Sequence, residues 1–275
     1  METLGGHVTA LFLYEAAEVI DLPAVSRLIA PSAQARFSPK TTTPSYVQYR
    51  QPPVTIDGDA LGLAEALGFR VRFKVFDYGV ISVALVRPLP HSWKELIEQA
   101  LKWQEDPKLA STAESLCHSL VKRIVSAMTA PRSQFVAEDY MVYSMTAAPG
   151  GATADTLLDE HGHDIARLLR GERESLSRQE RDEVMRHRLS YLECDLVVPT
   201  WNGAFVYDTD AGAHAAIEIL EFANSQLVEF RYYDELLDQE LGRIYADLQR
   251  PGWFKGWFGR RYTRSAQQVH ALFID

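Results

Sequence analysis

The chain has 275 residues, which at about 100–200 residues per domain allows one large domain or two small ones. Apolar residues make up 47% and charged residues 24%, which excludes disordered, collagen-like and disulfide-scaffold chains. With 28 basic against 37 acidic side chains the net charge is −9, which argues against a protein that coats nucleic acid with its whole surface and leaves room only for a local basic patch.

Cys117 and Cys194 lie far apart and fit no metal spacing or redox pair, so a reduced, cytoplasmic setting is expected. The first residues carry no basic leader, and Glu15 and Glu18 interrupt the apolar stretch near Leu11. No run reaches the ~18 uncharged apolar residues of a spanning helix.

Residues 8–14 are rich in strand formers, and Asp21 followed by Pro23 opens a short helix that ends before Pro31. Pro31, Pro39 and Pro44 with several Ser and Thr predict an irregular loop, followed by a strand near Tyr46–Arg50. Phe69–Phe76 and Val80–Val86, joined through Asp77-Tyr78-Gly79, predict an antiparallel hairpin. Ser92-Trp-Lys-Glu95 and Ser111-Thr-Ala-Glu114 have the form of capping boxes, which predicts two helices, the second stopped by Pro131. A strand is expected around Phe135–Met145, and Ala147-Ala148-Pro149-Gly150-Gly151 marks the clearest break.

Beyond the break a helix is predicted from about Thr153 to Arg170. Another opens at the capping box Ser177-Arg-Gln-Glu180 and carries Met185, Leu189, Leu192 and Leu196 on one face up to Pro199. Residues 1–150 hold 14 bases and 15 acids, and residues 151–275 hold 14 and 22, so the acidity belongs to the second part. The expected organisation is an α+β domain over 1–148, a helical packing region over 149–207, and a long helix with a hairpin tip and a short return arm over 208–275. The α+β part is expected to have a mostly antiparallel sheet with covering helices.

From Ala216 onward Leu220, Ala223, Leu227, Phe230, Asp234, Leu237, Leu241, Ile244 and Leu248 follow alternating steps of three and four. That spacing keeps one seam facing a neighbouring helix. Capped by Asp208 or Asp210, the helix spans about 40 residues and ~60 Å. An ordinary core helix is the alternative to one arm of a helical hairpin or coiled coil. The seam residues Leu220, Leu227, Phe230, Leu237, Leu241, Ile244 and Leu248 exceed what a return arm from Thr263 to Asp275 covers. Either a continuation of the natural chain beyond Asp275 or a second subunit or another protein is therefore expected on them, since apolar surface left in water costs ~25 cal/mol per Å².

Residues 250–264 contain five positive charges, five aromatic rings and no acid. Trp253, Phe254, Lys255, Trp257, Phe258, Arg260 and Arg261 suit RNA, an anionic membrane surface or a protein hot spot, and equally a hairpin tip folded back on its arms.

Asp159-Glu-His-Gly-His-Asp164 concentrates metal-ligand types, and His161 and Asp164 share a helix face without a recognised zinc spacing. A solvated helix face is the better reading, and the basic Arg186-His187-Arg188 is expected to pair with the acidic long helix rather than to do acid–base chemistry. An enzyme site using His161, His163, Asp164 or His187 is the rival hypothesis. No phosphate-binding loop, dinucleotide fingerprint or nucleophile elbow is present, so no cofactor, metal or small-molecule substrate is inferred.

Trp201-Asn202-Gly203-Ala204-Phe205-Val206-Tyr207-Asp208, followed by the long helix with Glu221-Phe222 and Arg231, resembles the "required for meiotic nuclear division" family of unknown-function proteins. Val75-Phe76-Asp77-Tyr78-Gly79-Val80 echoes the hairpin of that family. The resemblance implies an α+β domain with a helical hairpin, no enzymatic activity, and, for mitochondrial members, a supporting role in organelle translation. It also implies a membrane-anchoring segment after the hairpin, which this sequence to Asp275 does not include. The expected function is a non-catalytic scaffold or tether.

Overall fold

A computed structural model of the chain describes residues 4–29, 51–146 and 151–248. In chain order the elements are β1 (Gly6–Glu15), β2 (Val19–Ile20), α1 (Leu22–Leu28), β3 (Val54–Asp57), β4 (Glu65–Ala66), β5 (Phe69–Val75), β6 (Val80–Pro88), α2 (Trp93–Glu105), α3 (Pro107–Ile124), β7 (Met128–Thr129), β8 (Val136–Thr146), α4 (Ala154–Arg170), α5 (Arg178–Val184), β9 (Leu196–Pro199), β10 (Gly203–Asp208) and α6 (Asp210–Leu248). The class is α+β, with a mostly antiparallel sheet and a long last helix, as the sequence predicts.

The main sheet has the order β3-β5-β6-β1-β8-β10-β9, with β4 paired to β5. Its named pairings are antiparallel except β8 with β10, where Met141 lies opposite Gly203 and Thr146 opposite Asp208. The chain divides into one unit over Met1–Glu229 and a second over Phe230–Asp275.

In the first unit both sheet faces are covered. Val8, Ala10, Phe12 and Tyr14 of β1 join one core with side chains of α1 to α5, and Leu11 and Leu13 join the other with Ala213 and Val228 of α6. That explains why residues 10–14 read as an unbroken apolar run rather than an alternating one. The predicted hairpin forms as β5 and β6, turned at Gly79 with φ +94°. A Cβ on Gly79 would fall 1.9 Å from the Ala17 carbonyl oxygen, so glycine is required there for space and for backbone conformation.

Ser92 and Ser177 accept from the backbone N–H three residues on and cap α2 and α5 as expected, and Thr153 caps α4 in the same way. The proposed cap at Ser111 is corrected. Asp106 caps α3 with Pro107 in its first turn, so the helix is already running at Ser111, whose hydroxyl donates to the Lys108 carbonyl. For α6 the cap is Thr209, which accepts from the Gly212 N–H at 3.2 Å, rather than Asp208 or Asp210. Asp208 instead accepts from the Thr209 N–H at 2.6 Å.

The largest departure follows Val184. Met185, Leu189, Leu192 and Leu196 do not share a helix: α5 ends at Val184, a 3-10 turn covers Met185–His187, and Leu196 begins β9. Asp195 accepts from the N–H groups of Tyr191 and Leu192 and fixes a loop in which Leu189, Tyr191 and Leu192 are exposed. Leu189 exchanges two backbone hydrogen bonds with Val197, 2.7 and 2.8 Å, along β9. The strand expected near Tyr46–Arg50 lies outside the described residues.

Candidate functional site

The sequence Phe-Arg-Val-Arg-Phe-Lys-Val of β5 alternates strictly, so Phe69, Val71, Phe73 and Val75 enter one core while Arg70, Arg72 and Lys74 face the side covered by α6. Lys74 is paired in register with Ser82 of β6, which is opposite Leu13 of β1, which is opposite Glu138 of β8. Polar side chains of β5, β6 and β8 therefore interrupt the apolar sheet face beneath α6.

The sheet-facing stripe of α6 is Ala213, Ile217, Glu221, Asn224, Ser225 and Val228. Glu221 of this stripe and Glu218, three residues before it, meet β5 at Lys74. Lys74 Nζ donates to Glu218 Oε1 at 2.7 Å and to Glu221 Oε2, with the lysine 2% exposed and Glu221 fully buried. Burial alone pushes the Glu221 carboxyl up, but the charges of Lys74 and Arg72 and the hydrogen bond from Lys74 hold it below the usual carboxylate range. The His214 ring lies 3.8 Å from Glu218. Its pKa is lowered, chiefly by burial; Glu218 opposes the shift, and the positive charges of Arg72 and Lys74 add to it.

One turn of sheet further, the Tyr78 hydroxyl shares a 2.5 Å hydrogen bond with Ser225, whose hydroxyl also bonds the Phe222 carbonyl. Asn224 donates to the Leu220 carbonyl within the helix. Glu15, at the end of β1, accepts from Arg132 at 2.9 Å. Burial pushes its carboxyl up to about 7 against the stabilising hydrogen bond and charge of Arg132. Glu229 is likewise raised, by burial and then by Asp77.

Chemically this arrangement is a clamp. The lysine ammonium is committed to two carboxylates. Its effect is to fix the rotation and register of the first half of α6 on the sheet, a use of buried charge better attested than net stabilisation.

The residues singled out from sequence fall in three places. His161 stacks on Trp93 at 4.9 Å between centroids and sits 3.4 Å from Asp164, which also pairs with Arg167. That pair borders an open groove of about 470 Å³ lined by Trp93, Lys94, Ile97, Glu98, Asp164 and Arg167. His163 is on the same helix, and exposed His187 is in the turn after α5. Among the described residues no three His, Cys, Asp or Glu side chains are grouped to hold a metal ion, and no helix is long and apolar enough to cross a membrane.

The helix seam divides. Leu220 packs half-buried against the core on the sheet, and Leu227 is half-buried, but Ala223 between them is exposed, so the predicted seam is not the inward face of this half. In the second unit Phe230 is 68%, Leu241 49% and Tyr245 63% exposed, with Leu237 and Ile244 half-buried. Leu248 ends the helix backbone. Trp253, Phe254, Lys255, Trp257, Phe258, Arg260 and Arg261 lie outside the described residues.

Sequence reasoning missed Lys74, Arg72, Ser82, Glu218, Glu221 and the Tyr78–Ser225 bond. The signal was present: three cations on one face of a strand, and two acids three apart at the start of a long helix.

The chain matches the family described as "Uncharacterized protein MJ0711, N-terminal domain" over residues 5–214. It is also 22% identical over 120 residues to the uncharacterized protein MJ0711 of Methanocaldococcus jannaschii. That alignment covers 43% of this chain and 36% of the relative, so the matched part is little more than a third of the relative's length. No solved structure matches.

Proposed function

The chain belongs to the family of the uncharacterized protein MJ0711, N-terminal domain, and from that premise and the two halves of α6 we propose that it is a non-catalytic scaffold or tether. The α+β unit acts as a base on which the first half of α6 is clamped, and the second half binds another helix in coiled-coil fashion. The observation that carries this reading is the exposure of Phe230, Leu241 and Tyr245, four to fifteen residues apart on one helix face. The resemblance to the "required for meiotic nuclear division" family, with its implied non-enzymatic role, points the same way. Two cysteines without a disulfide, Cys117 buried and Cys194 exposed, suit a reducing, cytoplasmic setting.

The test compares the full chain with Phe230→Ser/Leu241→Ser/Tyr245→Ser by sedimentation velocity and by binding of a dye specific for exposed apolar patches. The expected result is self-association or dye binding that the triple variant loses with unchanged circular dichroism. A wild-type chain that stays monomeric and binds no dye overturns the proposal.

A further inference from the structure

The exposed face of the second half of α6 carries a charge pattern that its apolar residues do not explain. Placed at 100° per residue, Phe230, Asp234, Leu237, Leu241 and Tyr245 fall within about 80° of one another, so an aspartate sits in the middle of the stripe. Asp238 flanks one side and Glu240 the other. Between Phe230 and Tyr245 there are four acids and two bases, and one of those bases, Arg243, is paired with Glu240. An identical helix laid parallel and in register would set Asp234 against Asp234 and bring acidic flanks together, a like-charge arrangement that works against association.

We propose that the occupant of this face is an amphipathic helix whose apolar stripe is flanked by Lys and Arg. This rests on the tether reading and names the chemistry of its partner. Basic side chains on both flanks reach Asp238 and Glu240, and one at the centre meets Asp234, while the apolar stripe covers Phe230, Leu241 and Tyr245. Charge then selects the partner, and the apolar face supplies most of the affinity.

The experiment uses the full chain and two synthetic helical peptides with the same Leu/Ile stripe, one flanked by lysine and one by glutamate, with binding read by fluorescence anisotropy. The lysine peptide is expected to bind about tenfold or more tighter at low salt, with the preference narrowing as salt rises. The variant Asp234→Lys/Asp238→Lys/Glu240→Lys is expected to invert it. Equal, salt-insensitive binding of both peptides overturns the proposed chemistry and leaves the tether intact. Self-association through Phe230 and Leu241 that the lysine peptide does not displace makes a second copy the occupant and overturns it also. So does lysine-peptide binding seen only after the five bases of residues 250–264 are changed to Gln, which assigns the face to the chain's own segment. If neither peptide binds and Phe230→Ser/Leu241→Ser/Tyr245→Ser alters neither sedimentation nor dye binding, the tether reading fails with it.

Discussion

Replacing Lys74 with Met tests whether buried charge holds α6 on the sheet. Methionine keeps most of the side-chain volume, so the packing around β5 and β6 is disturbed little and the loss is chiefly of the ammonium. Two carboxylates then lose their shared donor, and they are not equivalent. Glu218 is 16% exposed and can turn toward water, whereas Glu221 is buried and keeps only the more weakly coupled charge of Arg72. Removing one partner of such a pair costs about 3–5 kcal/mol. With a urea m-value of about 2–3 kcal/mol/M that is a fall in midpoint of about 1–2.5 M, measured by circular dichroism. The double variant Lys74→Met/Glu221→Gln removes the stranded charge and is expected to recover more than half of the loss, an interaction energy of about 2 kcal/mol in the double-mutant cycle. The pH dependence has a fixed sign. The folded pKa of Glu221 is held down, so its contribution is present above the unfolded value of about 4.3 and disappears as pH falls through the folded one. The gap between wild type and Lys74→Met should therefore close on acidification. A single-variant cost below about 1 kcal/mol, or strict additivity in the cycle, would refute the clamp.

Glu15 has the opposite sign. Its folded pKa of about 7 lies above the unfolded value, so its stabilising contribution is complete below about pH 4.3 and is lost as pH rises through 7. Glu15→Gln should gain on wild type in Tm between pH 5 and pH 8, and a pH-independent difference would count against the assignment. Tyr78→Phe should cost about 1 kcal/mol by urea unfolding, because Ser225 retains its bond to the Phe222 carbonyl; a loss of 3 kcal/mol would mean the hydroxyl does more than join turn to helix. Gly79→Ala combines a positive φ with a near-overlap on the Ala17 carbonyl and should cost about 2–4 kcal/mol; a neutral Tm shift would show that the β5–β6 turn can rearrange.

Local signals in the chain predicted local structure well. Ser92, Thr153 and Ser177 cap helices because a hydroxyl before a helical pattern satisfies a free N–H irrespective of the rest of the fold. Ser111 misled because the Asp106-Pro107 start lies five residues earlier and the serine hydroxyl bonded back into a helix already formed. Leu189, Leu192 and Leu196 have helical spacing by coincidence: β9 pairs with β10, a partner that local periodicity cannot reveal. The same limitation hid the clamp. The three-and-four spacing puts the apolar residues Leu220, Ala223 and Leu227 at the interface and leaves Glu221 and Ser225 off that seam. Only the fold brings Lys74, 147 residues away from Glu221, to meet that glutamate and rotate the helix off its greasiest side.

The outermost strand on one flank of the sheet is β9, whose Val197 is already bonded to Leu189 and whose last residue, Pro199, has no N–H to offer. A foreign strand arriving there would have to evict Leu189 and tolerate the proline, so β-augmentation along that border is blocked at little cost to the fold. Copies of the protein crowded together in a cell are thereby kept from zipping into a continuous ribbon from this border.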